Sequence, residues 1–148
     1  MKRDPNPEEP QGPVFLLADD DKPAADRIAS LLYPGSYYIV PVTNPSHVLS
    51  YAKRMRPFAI FMAEPISFPK GGALALLRRL IDEVGRPVIV LVELWTPQLV
   101  ARWKSLGAAD CLPHPTRSDQ RLELVRSKMQ ELAIPTLPEP KADRPGEN

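Results

Sequence analysis

Five short apolar runs, each followed by a stretch of helical spacing, constrain this chain more than any other feature. Val14-Phe15-Leu16-Leu17-Ala18 is continuous and apolar, the pattern of a strand buried on both faces. Pro23 to Leu32 carries Ile28, Leu31 and Leu32 at helical spacing. Tyr37 to Thr43 is β-branched and aromatic, and reads as a strand. Asn44-Pro45 reads as a helix start, with Asn as N-cap and Pro in the first turn, and that helix runs to about Arg54. Phe58 to Ala63 is the third apolar run, and Ala73 to Val84 is a helix with Leu74, Leu77, Leu80 and Ile81 on one face. Val88 to Val92 is wholly aliphatic. Thr96-Pro97 then caps a helix with Leu99, Trp103 and Leu106 at i, i+4 and i+7. Ala109 to Leu112 is a short fifth strand, and Ser118 to Leu132 a last helix with Leu122, Val125, Met129 and Leu132 in phase.

Strand and helix repeated five times imply an α/β fold: a doubly wound, five-stranded parallel sheet with helices on both faces. Right-handed crossovers leave few strand orders. Pro41 narrows them, because a proline inside a strand is tolerated mainly at a sheet edge. The second strand is then an edge, as in the flavodoxin-like order 2-1-3-4-5. Functional residues are expected at the carboxyl ends of strands one and three, where that order switches direction.

The folded domain is expected over 14–134. Proline accounts for 19 of 148 residues, well above the usual ~5%. Residues 1–13 carry Pro5, Pro7, Pro10 and Pro13, and 135–148 carry Pro135, Pro138, Pro140 and Pro145, so both ends read as extended, solvated, disordered tails. A net charge of +1 argues against an electrostatic nucleic-acid binder. Arg102-Trp103-Lys104 does not reverse this, since helical phase places Trp103 with Leu99 and Leu106. The lone Cys111 excludes an internal disulfide and a multi-Cys zinc site, and fits a reducing cytoplasm. No apolar run approaches a membrane span, and the first 13 residues lack the apolar core of a secretory signal. A cytoplasmic protein with neither membrane nor nucleic-acid partner is expected.

Five segments carry a resemblance. Leu16 to Asp21 ends strand one in acidic residues, and Asp21 to Leu32 follows as a first helix. Arg56-Pro57 leads into Phe58 to Met62, and Pro87 into Val88 to Leu91. Gly107-Ala108-Ala109-Asp110-Cys111-Leu112-Pro113-His114-Pro115 closes the series. In this order and at these separations they resemble the receiver domain of bacterial two-component response regulators, the CheY-like (βα)5 fold, over about residues 14–132.

In that family a strand-three aspartate accepts a phosphoryl group from a histidine kinase, and it holds Mg²⁺ together with the acidic pair. A strand-four Thr or Ser and a Lys after strand five contact the phosphoryl oxygens, and a strand-five aromatic reports the change. Most of these positions differ here. Six residues beyond the strand-three proline stands Ala63, with Glu64 next. A family glycine eight residues past the aspartate fits Gly71, pointing to Ala63, or Gly72, pointing to Glu64; neither is an aspartate. The hydroxyl position is Val92, the lysine position His114 and the aromatic position Cys111. Asp19 and Asp20 remain, or Asp20 and Asp21 under a one-residue shift. They are the Mg²⁺ ligands if any is bound, in a site weakened by the missing carboxylate. No other cofactor is implied. Glu64 is a candidate mimic of the phosphorylated state, although alternation points it away from Ala63's face. His114 is a candidate partner of Asp19 or Asp20. Trp103, four residues before Gly107, is expected to fill the volume left by the small Cys111.

The resemblance therefore implies a degenerate, phosphorylation-independent pseudo-receiver. It would be a protein–protein interaction module of bacterial signal transduction and not an enzyme. Its partner would be another signalling protein or a second copy, bound through the fourth helix, fifth strand and fifth helix. Leu94, Trp95 and Arg102 are the expected contacts. The alternative is an atypical receiver that still binds Mg²⁺ or is phosphorylated at a non-standard residue. A small α/β enzyme is disfavoured, because no Gly-rich phosphate loop opens the first helix.

Overall fold

The computed structural model describes residues 14–32, 38–64, 66, 71–115 and 119–133. The proline-rich ends, 1–13 and 135–148, lie outside the described residues. So do Tyr37, Ser118 and most of the stretch between Glu64 and Gly71. The strands are β1 (Val14–Ala18), β2 (Tyr38–Val42), β3 (Ala59–Glu64), β4 (Val88–Val92) and β5 (Asp110–Pro113). The helices are α1 (Lys22–Leu32), α2 (Val48–Met55), α3 (Gly72–Glu83), α4 (Pro97–Ser105) and α5 (Asp119–Ala133). All strands are parallel, in the order β2-β1-β3-β4-β5. Pro41 pairs with Leu17 on the edge strand β2. There its missing N–H breaks no ladder on a second side.

Side-chain alternation sorts the strands into two cores. Leu16, Ala18, Ile60, Met62, Val88, Val90, Val92 and Cys111 face α2, α3 and α4. Phe15, Leu17, Ala59, Phe61, Ile89 and Leu91 face α1 and α5. Every residue of β4 is buried, which explains its unbroken aliphatic sequence.

Local chemistry sets the helix starts. The Thr96 side chain accepts the Leu99 N–H at 3.1 Å, and Pro97 supplies the first helical φ of α4. Asn44 caps as expected, but what it caps is a 3₁₀ turn, Pro45–His47, that runs directly into α2. Two helical positions differ from expectation: Leu31 and Ile81 are exposed, at 40% and 36%. The buried stripe of α3 runs through Ala73, Leu76, Leu77 and Leu80, which leaves Ile81 on its flank. There Ile81 lies over Gly107, whose φ of +113° only glycine adopts readily. A Cβ on Gly107 would meet Ile81 Cδ1 at 2.5 Å.

Gly85 is the simpler case, with a φ of +74° and open space around its Cα. Gly85→Ala is expected to lose about 1 kcal/mol, the left-handed penalty alone. Gly107→Ala is expected to lose more, because a φ of +113° lies farther from the left-handed region than +74°, while the exposed Ile81 side chain can swing its Cδ1 aside. Urea denaturation of both variants measures the difference, and equal losses would refute the extra backbone strain assigned to Gly107.

Candidate functional site

The carboxyl ends of β1, β3, β4 and β5 converge where the strand order reverses. Ala18 pairs with Met62, which sets Asp19 level with Ala63. Glu64 pairs with Val92, and Val92 with Pro113, which brings His114 to the same rim. Alternation decides which side chains meet. Asp19 continues the row of Phe15 and Leu17, and Ala63 the row of Ala59 and Phe61, both toward α1 and α5. His114 follows Leu112, which packs on that same core. Glu64 and Val92 continue the opposite rows.

On that face His114 Nε2 lies 2.9 Å from Asp19 Oδ2, and both side chains are buried. β1 and β5 are separated by β3 and β4, about 14 Å of sheet at the usual strand spacing. The two side chains meet by leaning across the strand ends, and the methyl group of Ala63 leaves that path clear. The contact is anchored on both sides. Asp19 Oδ1 accepts the Asp21 N–H at 3.0 Å, and the His114 N–H donates to the Val92 carbonyl at 2.7 Å. Arg121 of α5 donates to the carbonyls of His114 and Glu93, at 3.0 and 3.3 Å, and straps the β4 and β5 ends together.

A cavity of about 240 Å³ opens beside this pair, lined by Asp19, Asp20, Asp21, Ala24, Ala63, Glu64, Glu93 and His114. The acidic lining does not fit Mg²⁺. Both Asp19 oxygens are engaged by protein donors, and Ala63 offers no oxygen where a third carboxylate is needed. Among the described residues no group of three His, Cys, Asp or Glu side chains is placed to hold a metal ion. The suggested role of Asp19 and Asp20 as Mg²⁺ ligands thus meets an occupied Asp19. Asp21 instead caps α1, accepting the Ala24 N–H at 3.2 Å.

On β5, Cys111 is buried in the α2–α4 core, and burial pushes its thiol up to about 11. It stays protonated at neutral pH and behaves as a small hydrophobe. Trp103, 8% exposed, joins the same core. Trp95 is 40% exposed, and its indole N–H donates to the Cys111 carbonyl at 2.9 Å. Leu94 beside it is 83% exposed, and Arg102 is exposed on α4.

Sequence reasoning did not reach Arg121, Glu93 or the Asp110–Lys128 ion pair at 2.7 Å. Each depends on which loops and helices the sheet brings together, and no local pattern marks them. Burial is the largest single influence and works against both charges of the last pair, but their mutual hydrogen bond, the Cys111 N–H on Asp110, Glu131 beside Lys128 and the nearby charges together outweigh it. Asp110 is held below the usual carboxylate range and Lys128 above the usual ammonium range.

No protein-family model matches the chain, and no curated protein matches it. Solved structures do. The receiver domain of Francisella response regulator 1452 superposes with a TM-score of 0.73 at 20% identity, covering 85% of this chain and 100% of that one. A response regulator from Thermotoga maritima gives 0.67 at 18% identity, covering 83% and 98%. The Vibrio cholerae chemotaxis protein CheY4 gives 0.65 at 17% identity, covering 82% and 98%. The chain has the CheY-like receiver-domain fold.

Lys128→Met is expected to cost about 1 kcal/mol at pH 7. Asp110's folded pKa is depressed, so its share of stability is present above the ordinary carboxylate value near 4 and is lost as pH falls through the folded value. The gap between wild type and variant should therefore narrow as the pH falls below the ordinary carboxylate value and through Asp110's lower folded one. A pH series of urea midpoints checks this, and a constant gap would disprove the pairing. Separately, His114→Ala is expected to destabilise by about 3 kcal/mol, because it strands a buried carboxylate. Asp19→Ala in the same background should cost little more, and additive losses in that double-mutant cycle would show that the two groups do not interact.

Proposed function

We propose that this chain is a receiver-type module of bacterial signal transduction that works without phosphoryl transfer, and that it acts by binding another protein. The observation that carries the reading is the buried His114–Asp19 contact passing over Ala63. Receivers join the ends of β1, β3 and β5 through a metal ion and a phosphoryl group. Here a protein side chain spans β1 and β5 with neither group required. A methyl group at position 63 accepts no phosphoryl group, and Val92 offers no hydroxyl.

The output face follows from the same frame. Arg121 ties the β4–α4 and β5–α5 connections, and Trp103 fills the core beside Cys111, so α4 and β5 are held in one arrangement. Leu94, Trp95 and Arg102 then present a constant surface. Trp95 is a suitable anchor because its indole N–H is already held by the Cys111 carbonyl, which lowers the entropy lost on docking. A signalling protein or a second copy of this chain is the partner class proposed, in a binding role and not an enzymatic one. A cytoplasmic setting accords with the buried free thiol; no described helix is long and apolar enough to cross a membrane.

Incubation with Mg²⁺ and acetyl phosphate, followed by intact-mass measurement, tests the reading. No phosphoryl adduct is expected on the wild-type chain. An acid-labile adduct would overturn the proposal, and its position would identify the residue that replaces the aspartate.

A further inference from the structure

A second cavity, of about 430 Å³, lies on the other face of the sheet. It is bounded by the end of β3, the start of α3 and the inner side of α4. Its apolar wall is formed by Ile66, Leu74, Leu99, Trp103 and Leu106. Two charged side chains also line it, Glu64 from β3 and Arg102 from α4. Neither side chain makes a hydrogen bond or ion pair with a described residue. Glu64 is half-buried there, where a charge attracts a counter-charge more strongly than it does in open water.

Such a lining matches one class of molecule. The volume is that of a small-ligand site and accommodates an apolar body of about 10–15 heavy atoms. A cation alone would leave Arg102 opposed, and an anion alone would meet Glu64. We infer that this cavity binds a small zwitterion with an aromatic body, of the amino-acid class, its ammonium on Glu64, its carboxylate on Arg102 and its ring against Trp103. A ligand seated there would touch α4 and the core residue beside Cys111. Such a molecule would give the module an input other than phosphorylation. The site itself stands on its lining and not on the proposed function.

The test is a titration of the ¹⁵N-labelled full chain with L-phenylalanine, phenethylamine and phenylacetate. L-Phenylalanine is expected to shift the Trp103 indole N–H saturably and leave that of Trp95, which is outside the cavity, in place. It should bind at least tenfold more tightly than either half-ligand. Glu64→Gln and Arg102→Gln should each weaken it tenfold or more. Absence of a saturable shift, shifts centred on Trp95, equal binding of a half-ligand, or indifference to both substitutions would overturn the inference. None of these outcomes bears on the acetyl phosphate experiment, which is run on the wild-type chain and reads a covalent adduct.

Discussion

Burial of the sheet on both faces is the constraint on which the other features depend. Each apolar side chain on β1, β3 and β4 serves one of two cores, and each of those larger than alanine is worth about 1.5–3 kcal/mol when fully buried. A slip of one residue in any ladder would exchange the two rows and turn the polar ends of the strands inward. Register is therefore held along the whole sheet. The place where the apolar rows stop is fixed with it: Asp19 after β1, Ala63 and Glu64 at the end of β3, Glu93 after β4 and His114 after β5. The candidate site is the rim of a packed sheet, set in place by core packing well beneath it.

At that rim a buried acid and a buried histidine have been brought together. Burial of such groups is costly unless each is hydrogen-bonded, and a buried pair seldom adds net stability over apolar residues of the same size. What it supplies is geometry. Asp19 uses both carboxylate oxygens, and the His114 main chain is held by Val92 on one side and Arg121 on the other. The pair thereby links the first strand to the last without a ligand. Ala63 takes part by being small, since a longer side chain on the same row would stand between the partners.

The opposite face puts a small and a large residue in one core. Cys111 is small for a buried position on β5, and Trp103 on α4 is large for a helix that packs against it. Interiors are packed to near-crystalline density, so a deficit on one element must be made up by its neighbour. Trp95 fixes the outer side of the same strand through its hydrogen bond to the Cys111 carbonyl. β5 is thus bracketed by two indoles. Glu64, at the end of β3, lines both the acidic cavity and the one between α3 and α4 and is the residue they share.

Much of this was legible in the sequence, because the signals involved are local. Val88 to Val92 could only be a strand covered on both sides, Thr96-Pro97 could only begin a helix, and Pro41 placed β2 at the edge. The spacing from Pro57 to Ala63 pointed to a missing carboxylate, and alternation alone separated Ala63 from Glu64. Helix flanks were less legible: the apolar Leu31 and Ile81 sit at the margins of their stripes, and only packing against neighbours decides which side a margin takes. Asn44 announced a turn but not its 3₁₀ form. The meeting of His114 with Asp19, 95 residues apart, was open between two acids until the ladders set their level. The strap from Arg121, the Asp110–Lys128 pair and the cavity between α3 and α4 had no trace in the chain's order. Periodicity and turn chemistry act over a few residues and are written in the sequence itself. Contacts between the ends of different strands and helices exist only once the sheet has closed, and the tertiary structure alone decides them.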